Sequence, residues 1–337
     1  MKQYIEKALG RENLTVREAA DALDMIMTNR ATEAQIAGLL VALRAKGESE
    51  DELVGFARTM RERSIRIKTD DPDAIDMCGT GGDGLNTFNI STVAALVVAG
   101  AGVTVAKHGN RSVSSRSGSA DVLVALGVNI QLAPDRVEAC LNTVGIGFLF
   151  APLFHPAMKH AAKPRQELGI RTIFNMLGPI TNPAGVKRQV LGTYHADVAQ
   201  KLAGALQALE TEKACVVHGS DGMDEVSLHA QTSVHEVGQF GPVRHYSLSP
   251  QDFGFSETGS DAVLGGDAAR NARIAESILQ GDPSPGRDVV LANAAMGIYV
   301  AGRTGDLKTA SAFAAESLDS GRAREVLRNL VEFTNKA

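Results

Sequence analysis

The chain has 337 residues, of which 44% are hydrophobic and 22% charged, enough apolar content for a large core in two domains or one large α/β unit. A formal net charge of −5, from 34 Lys+Arg against 39 Asp+Glu, excludes the basic footprint of a nucleic-acid or anionic-membrane binder, so any anionic ligand has to be held by a local site. The longest apolar run (93–105) is too short to span a bilayer, the N-terminus has no signal-peptide apolar region, and the widely spaced Cys78, Cys140 and Cys215 read as reduced, buried thiols of a cytoplasmic protein.

The first 65 or so residues read as purely helical. Three capping boxes follow one another, Thr15-x-x-Glu18, Thr32-x-x-Gln35 and Ser49-x-x-Glu52, each pairing a hydroxyl with an acid or amide three residues on. Apolar residues then recur at helical spacing, as in Ile36, Leu39, Leu40 and Leu43. Short connections predict that these helices are antiparallel neighbours, forming a scaffold or a dimer surface. Asp70-Asp71-Pro72-Asp73 ends the pattern. A strand at 74–78 is expected next, then a helix at about 90–99, a strand at 102–106 and a helix at about 119–126. Val190 to Thr193, a helix at 197–209 and a strand at 214–217 continue the alternation, and the last 70 residues read as mostly helical. This is an α/β pattern.

The densest chemistry lies in Asp76-Met77-Cys78-Gly79-Thr80-Gly81-Gly82-Asp83-Gly84. Glycines after a strand let backbone amides converge on an anion, and Asn89-Ile90-Ser91-Thr92 then opens an apolar helix whose N-terminus suits phosphate. Gly79, Gly81 and Gly84 formally satisfy G-x-G-x-x-G, but the dinucleotide fingerprint expects an acid at the end of the next strand, where this chain has Lys107-His108. A Walker A loop fails for lack of Gly-Lys-Ser/Thr. Lys107-His108-Gly109-Asn110-Arg111 and the hydroxyl-rich stretch 112–119 form a second candidate anion loop. Two such loops suit a ligand with phosphate at both ends. Asp224 and Glu225, on the glycine-containing loop after the strand at 214–217, are the acid pair expected to take magnesium, which binds few carboxylates and shares phosphate oxygens.

In that order these motifs resemble the anthranilate phosphoribosyltransferases. The resemblance continues through Gly145-Ile146-Gly147-Phe148-Leu149-Phe150-Ala151-Pro152, His155-Pro156, Arg171-Thr172-Ile173-Phe174-Asn175 and Gly178-Pro179-x-x-Asn182-Pro183, and so spans nearly the whole chain. It implies a pyrimidine nucleoside phosphorylase-like α/β fold: a small helical N-terminal domain and a larger α/β domain with a central mixed sheet flanked by helices. The helical domain would be 1–70, joined by a returning segment at about 166–184. Residues 71–165 and 185–337 would form the phosphoribosyl pyrophosphate-binding domain. It implies transfer of phosphoribose to the amine of anthranilate, with release of pyrophosphate, in tryptophan biosynthesis. The implied partners are these two small molecules and a second copy of the chain, in a homodimer formed through the helical domain.

Carried over residue by residue, the resemblance assigns phosphoribosyl pyrophosphate to Gly79, Gly81, Gly82, Asp83, Thr87, Asn89, Ser91, Thr92, Lys107 and Ser119. It assigns anthranilate to Gly79, His108, Asn110, His155, Met158, Arg165 and Gly178. Ser91, Asp224 and Glu225 would hold Mg2+, two ions per subunit. His108 is the one candidate base, with a hydrogen-bonding role in the aromatic site as its alternative. Lys163-Pro164-Arg165-Gln166 stands where Val-Arg-Arg or Val-Arg-Lys is common in that family, so Arg165 is kept in altered surroundings. A nucleoside phosphorylase would carry a Lys-His-Ser-Thr-Gly-Gly-type loop where this chain has Met77 to Gly82. A nucleic-acid-binding relative would show a basic face.

Overall fold

The computed structural model describes residues 1–112 and 116–336. Four helices open the chain: α1 (Lys2–Leu9), α2 (Val16–Met27), α3 (Glu33–Lys46) and α4 (Glu50–Arg63). All three capping boxes form, with Thr15, Thr32 and Ser49 each accepting the N–H three residues on. The expectation that chain neighbours pack side by side needs correcting, because α2 packs chiefly on α4 and α1 on α3. Gly55 is one reason. A Cβ there would lie 2.3 Å from the Val16 carbonyl oxygen, so only glycine lets the α4 backbone approach α2 this closely.

Next come β1 (Ile75–Gly79), α5 (Ile90–Gly100), β2 (Val105–Gly109), α6 (Ser119–Ala125), α7 (Pro134–Val144) and β3 (Ile146–Phe150). The short helix α8 (Ala151–Phe154), then α9 (Lys159–Leu168) and the short α10 (Phe174–Leu177), lead to β4 (Arg188–Gly192), α11 (Ala196–Ala208) and β5 (Lys213–Gly219). Strands β6 (Thr232–Gly238) and β7 (Arg244–Leu248) precede four final helices, α12 (Ala268–Leu279), α13 (Pro285–Val300), α14 (Leu307–Asp319) and α15 (Arg322–Asn335).

The seven strands form one sheet in the order β3-β2-β1-β4-β5-β6-β7, parallel up to β5 and antiparallel beyond it, so the sheet is mixed. Strand β2 starts three residues later than expected, because Gly102 at φ 84° turns the chain at the end of α5. Lys107 and His108 therefore lie inside the strand and point to opposite faces of the sheet. One face packs on α5, α13 and the C-terminal helices. The other is covered by a core that runs continuously from α1–α4 through Ala161, Ile173, Phe174 and Leu177 to α11. The helical bundle and the returning segment thus share apolar packing with the sheet.

Candidate active site

The strand order reverses at β1, with β2 on one side and β4 on the other, and the carboxyl ends of strands at such a switch point leave a crevice. Gly79 ends β1 and Gly192 ends β4 in register with it. A Cβ on Gly192 would lie 1.6 Å from the main-chain oxygen of Asp224, so glycine at this strand end admits the acidic loop between the two strands. There the Gly81 N–H donates to Asp224 Oδ2 at 2.8 Å, and the Ser91 N–H, at the start of α5, donates to Glu225 Oε1 at 3.1 Å. Gly81 and Gly82, at φ 65° and 80°, give the loop the left-handed turns that aim its amides inward.

Burial raises the pKa of both Asp224 and Glu225, and repulsion adds to it: Asp83 acts on Asp224, and Asp224 acts on Glu225. Thr80 Oγ1, Asp83 Oδ2 and Thr92 Oγ1 are buried without a hydrogen-bond partner among the described residues. An all-oxygen set of crowded acids and orphaned oxygens fits a hard divalent cation. Among the described residues no three His, Cys, Asp or Glu side chains form a group that could hold a metal ion by themselves.

Lys107 is buried on the α5 side of β2, where its Nζ donates to the Met77 carbonyl at 2.5 Å. Burial pushes its pKa down, and Asp76 is the foremost of the charges opposing that shift. On the other face, His108 Nδ1 donates to the Gly178 carbonyl at 3.0 Å. Its Nε2 is then an unprotonated acceptor, buried without a partner among the described residues. Burial, aided by His155 with ring centroids 5.2 Å apart, lowers the His108 pKa to about 3, and burial brings His155 to about 4. Both rings are neutral at physiological pH.

The remaining expected residues are placed more loosely. Asn89 sits at the N-cap of α5 without capping it; its amide bonds Ser117 and Asn271 instead. Thr87 forms an isolated bridge to Leu264. Ser119 Oγ donates to the Asn110 carbonyl, which ties α6 to the end of β2. In the second candidate loop Asp121 pairs with Arg111 at 2.7 Å and accepts the N–H groups of Ser112 and Gly118, so part of its positive charge is already neutralised. Val113, Ser114 and Ser115 of that loop lie outside the described residues. Met158 ends a short 3-10 turn before α9, packed at the edge of the helical core. Arg165 is half-buried on α9 with its guanidinium 4.9 Å from the centroid of the Phe174 ring. No carboxylate lies within ion-pair distance of it among the described residues. Pro164 is accommodated inside α9, and Lys163 is drawn off to Glu33 at 2.6 Å.

Three groups stand in the sequence motifs without a role assigned to them there. Arg171 reaches the glycine loop, donating to the Gly82 carbonyl while its guanidinium stacks 4.1 Å from the Tyr194 ring centroid. Asp76 and Asn182 are buried beside Lys107 and His108 and bonded to each other at 2.8 Å. An acid inside an otherwise apolar strand was the available signal for Asp76.

Residues 71–324 match the family described as glycosyl transferase family, a/b domain, and residues 2–64 match its helical bundle domain. The anthranilate phosphoribosyltransferase of Moorella thermoacetica is 52% identical over 98% of this chain and 97% of its own. The crystal structure of the Thermus thermophilus anthranilate phosphoribosyltransferase superposes with a TM-score of 0.93 at 42% identity, covering 99% of both chains. The Saccharomyces cerevisiae anthranilate phosphoribosyltransferase, in complex with PRPP and Mg, gives 0.90 at 29% identity over 98% of this chain and 97% of that one.

Proposed function

This chain belongs to the anthranilate phosphoribosyltransferase family, and from that membership we infer that its crevice joins the amine of anthranilate to C1 of phosphoribosyl pyrophosphate, releasing pyrophosphate, in tryptophan biosynthesis. The observation that carries this reading is the pairing of Asp224 and Glu225 with the amides of Gly81 and Ser91 at the ends of β1, β4 and α5. A phosphate-directed loop and an acid pair meet there across more than a hundred residues of chain.

The reaction asks little of a base, because an aromatic amine is neutral and nucleophilic at pH 7. The harder demand is departure of pyrophosphate, which leaves positive charge on the ribose and negative charge on the leaving oxygens. The glycine-loop amides of Gly79, Gly81 and Gly82, the start of α5 at Asn89, Ser91 and Thr92, and the Lys107 ammonium supply donors for those oxygens. Asp83, Thr87 and Ser119 complete that half of the site. Ser91, Asp224 and Glu225 hold magnesium, two ions per subunit, which neutralises charge on the pyrophosphate when bound. His108 Nε2 accepts an amine N–H and orients the lone pair toward C1. With its pKa lowered to about 3 it is an orienting acceptor and a weak base. Gly178 fixes the His108 ring, and Asn110, His155 and Met158 line the aromatic path. Arg165 pairs with the carboxylate of anthranilate in a bidentate fork.

The substrates meet between the helical unit, 1–70 with the returning segment 166–184, and the remainder of the chain. The enzyme works as a homodimer through the bundle, where Leu9 on α1 and Val41 on α3 are 68% and 41% exposed. Its three free, buried cysteines suit the reducing cytoplasm. The test is direct: with phosphoribosyl pyrophosphate and magnesium present, the protein should remove anthranilate fluorescence in proportion to pyrophosphate released. Fluorescence that persists while a known family enzyme consumes it under the same conditions overturns the reading.

A further inference from the structure

The ladder between β1 and β2 stops after one register pair, Ile75 with Val105, whereas β1–β4 and β2–β3 each run for five. The Ile75 N–H still donates to the Thr104 carbonyl at 2.9 Å. A parallel pair continuing from there would next engage the carbonyl of Ala106, then join the Met77 carbonyl to the His108 N–H. Side chains take those places. Asn182 Nδ2 donates to the Ala106 carbonyl at 2.8 Å, Lys107 Nζ to the Met77 carbonyl at 2.5 Å, and the His108 N–H to Asp76 Oδ1 at 3.1 Å. Asp76 Oδ2 accepts a further bond from Asn182 Nδ2 at 2.8 Å, which closes the network.

We propose that Asp76 and Asn182 are positioning residues for phosphoribosyl transfer: they take the places of ladder bonds between β1 and β2 and so hold the Lys107 ammonium and the His108 ring at the crevice. The four side chains are between 0% and 6% exposed. A continued ladder flanked by apolar side chains would satisfy the same backbone groups without burying an acid, an amine and an amide, so stability alone does not select this arrangement. The network also sets the state of His108. Asn182 lies four residues beyond Gly178, whose carbonyl takes the His108 Nδ1–H, and Gln189 Nε2 anchors the intervening Pro179 carbonyl at 3.1 Å. With that segment pinned to β1, His108 is kept in the Nδ1–H tautomer and its Nε2 is left as an acceptor.

The proposal rests on the assignment of Lys107 and His108 to the two substrates, and its test has one arm that does not depend on turnover. In full-length protein labelled with 15N-histidine, the wild-type His108 signals should show Nδ1 protonated and Nε2 unprotonated from pH 6 to 8. Asn182→Ala should give a mixture of tautomers. In steady state, Asn182→Ala should raise KM for anthranilate by about tenfold or more, as for loss of roughly 1.4 kcal/mol of orienting interaction, and move KM for phosphoribosyl pyrophosphate much less. Asp76→Asn, which sets an amide donor against the Asn182 amide and removes the charge facing Lys107, should raise both constants by at least about tenfold. Should Asp76→Asn fail to fold, Asn182→Ala decides alone, since it leaves the carboxylate in place. A lowered Tm with unchanged tautomer and unchanged KM values overturns the proposal and makes the pair mere structural filler. If the wild type consumes no anthranilate, the functional reading fails while the tautomer measurement still tests the positioning.

Discussion

Asp224 accepts the backbone N–H of Gly81 at 2.8 Å across 143 residues of chain. Glu225 does the same for the N–H of Ser91 at 3.1 Å. If these amides take phosphate oxygens and these carboxylates a cation, as proposed above, the two sets of acceptors would compete for the same donors. Asp224→Asn with Glu225→Gln should lower kcat by about 100-fold or more at saturating magnesium, the effect expected when several kcal/mol of charge stabilisation is lost. The same crowding has a stability signature. The two carboxyls titrate above their ordinary range in the folded chain, so below that raised pKa the folded state holds more protons than the unfolded one. Their destabilising effect is fully present above the raised pKa and gone once pH falls to the ordinary carboxylate range. After chelation the double variant should therefore melt above the wild type at pH 8, with the difference shrinking toward pH 5. Full activity of the variant at low magnesium, or a pH-independent difference in Tm, contradicts the assignment.

Burial and the neighbouring His155 bring the His108 pKa to about 3, below the 6.5 of an ordinary imidazole. The kcat/KM profile for anthranilate should thus show no limb from His108 between pH 5.5 and 8. His108→Ala should act mainly on KM for anthranilate, with kcat reduced by less than the roughly 100-fold expected for removal of a general base. A bell-shaped profile with a limb near 6.5 that disappears in the variant would assign proton transfer to His108 after all.

Arg165 packs over Phe174 with no carboxylate partner among the described residues, so its charge is available to a ligand. Arg165→Ala should raise KM for anthranilate by about ten- to several-hundredfold, the range for a lost hydrogen bond to a charged group of about 1.5–3 kcal/mol. KM for phosphoribosyl pyrophosphate should move much less. A parallel rise of both constants with a fall in Tm would mark Arg165 as structural.

Gly192 admits the acidic loop because it has no side chain: a Cβ there would overlap the main chain of Asp224. Gly192→Ala should push Asp224 and Glu225 off the β1 end, raise the magnesium needed for half-maximal activity, and lower stability by about 1–3 kcal/mol. Wild-type magnesium dependence in this variant would show that the loop finds its place without that close approach.

The exposed Leu9 and Val41 on neighbouring helices α1 and α3 predict the dimer surface. Sedimentation at micromolar concentration should give twice the mass of the chain. Leu9→Glu with Val41→Glu should shift it toward monomer without unfolding the bundle. A wild-type monomer would refute the interface.

Several features that depend only on residues a few positions apart were determined by residue type alone. Thr15, Thr32 and Ser49 cap their helices through contacts three residues long, and the glycines at 81 and 82 take the left-handed turns that only their missing side chains make cheap. The glycine loop, the Lys107-His108 pair and the acid pair were legible for the same reason. The strand β3 is five apolar, fully buried residues and so has no alternation to mark it as a strand, while the edge strand β7, five residues of mixed polarity, carries little periodic signal of any kind. The start of β2 was misplaced because the turn at Gly102 competes with the apolar run around it. Only the tertiary structure decided the rest. It brought Asp224 to Gly81, and it broke the ladder between β1 and β2 so that Asp76, 106 residues from Asn182, could replace its missing bonds. Such contacts depend on which strands pair and how closely two backbones can approach, and those are properties of the packed sheet that no local run of residues carries.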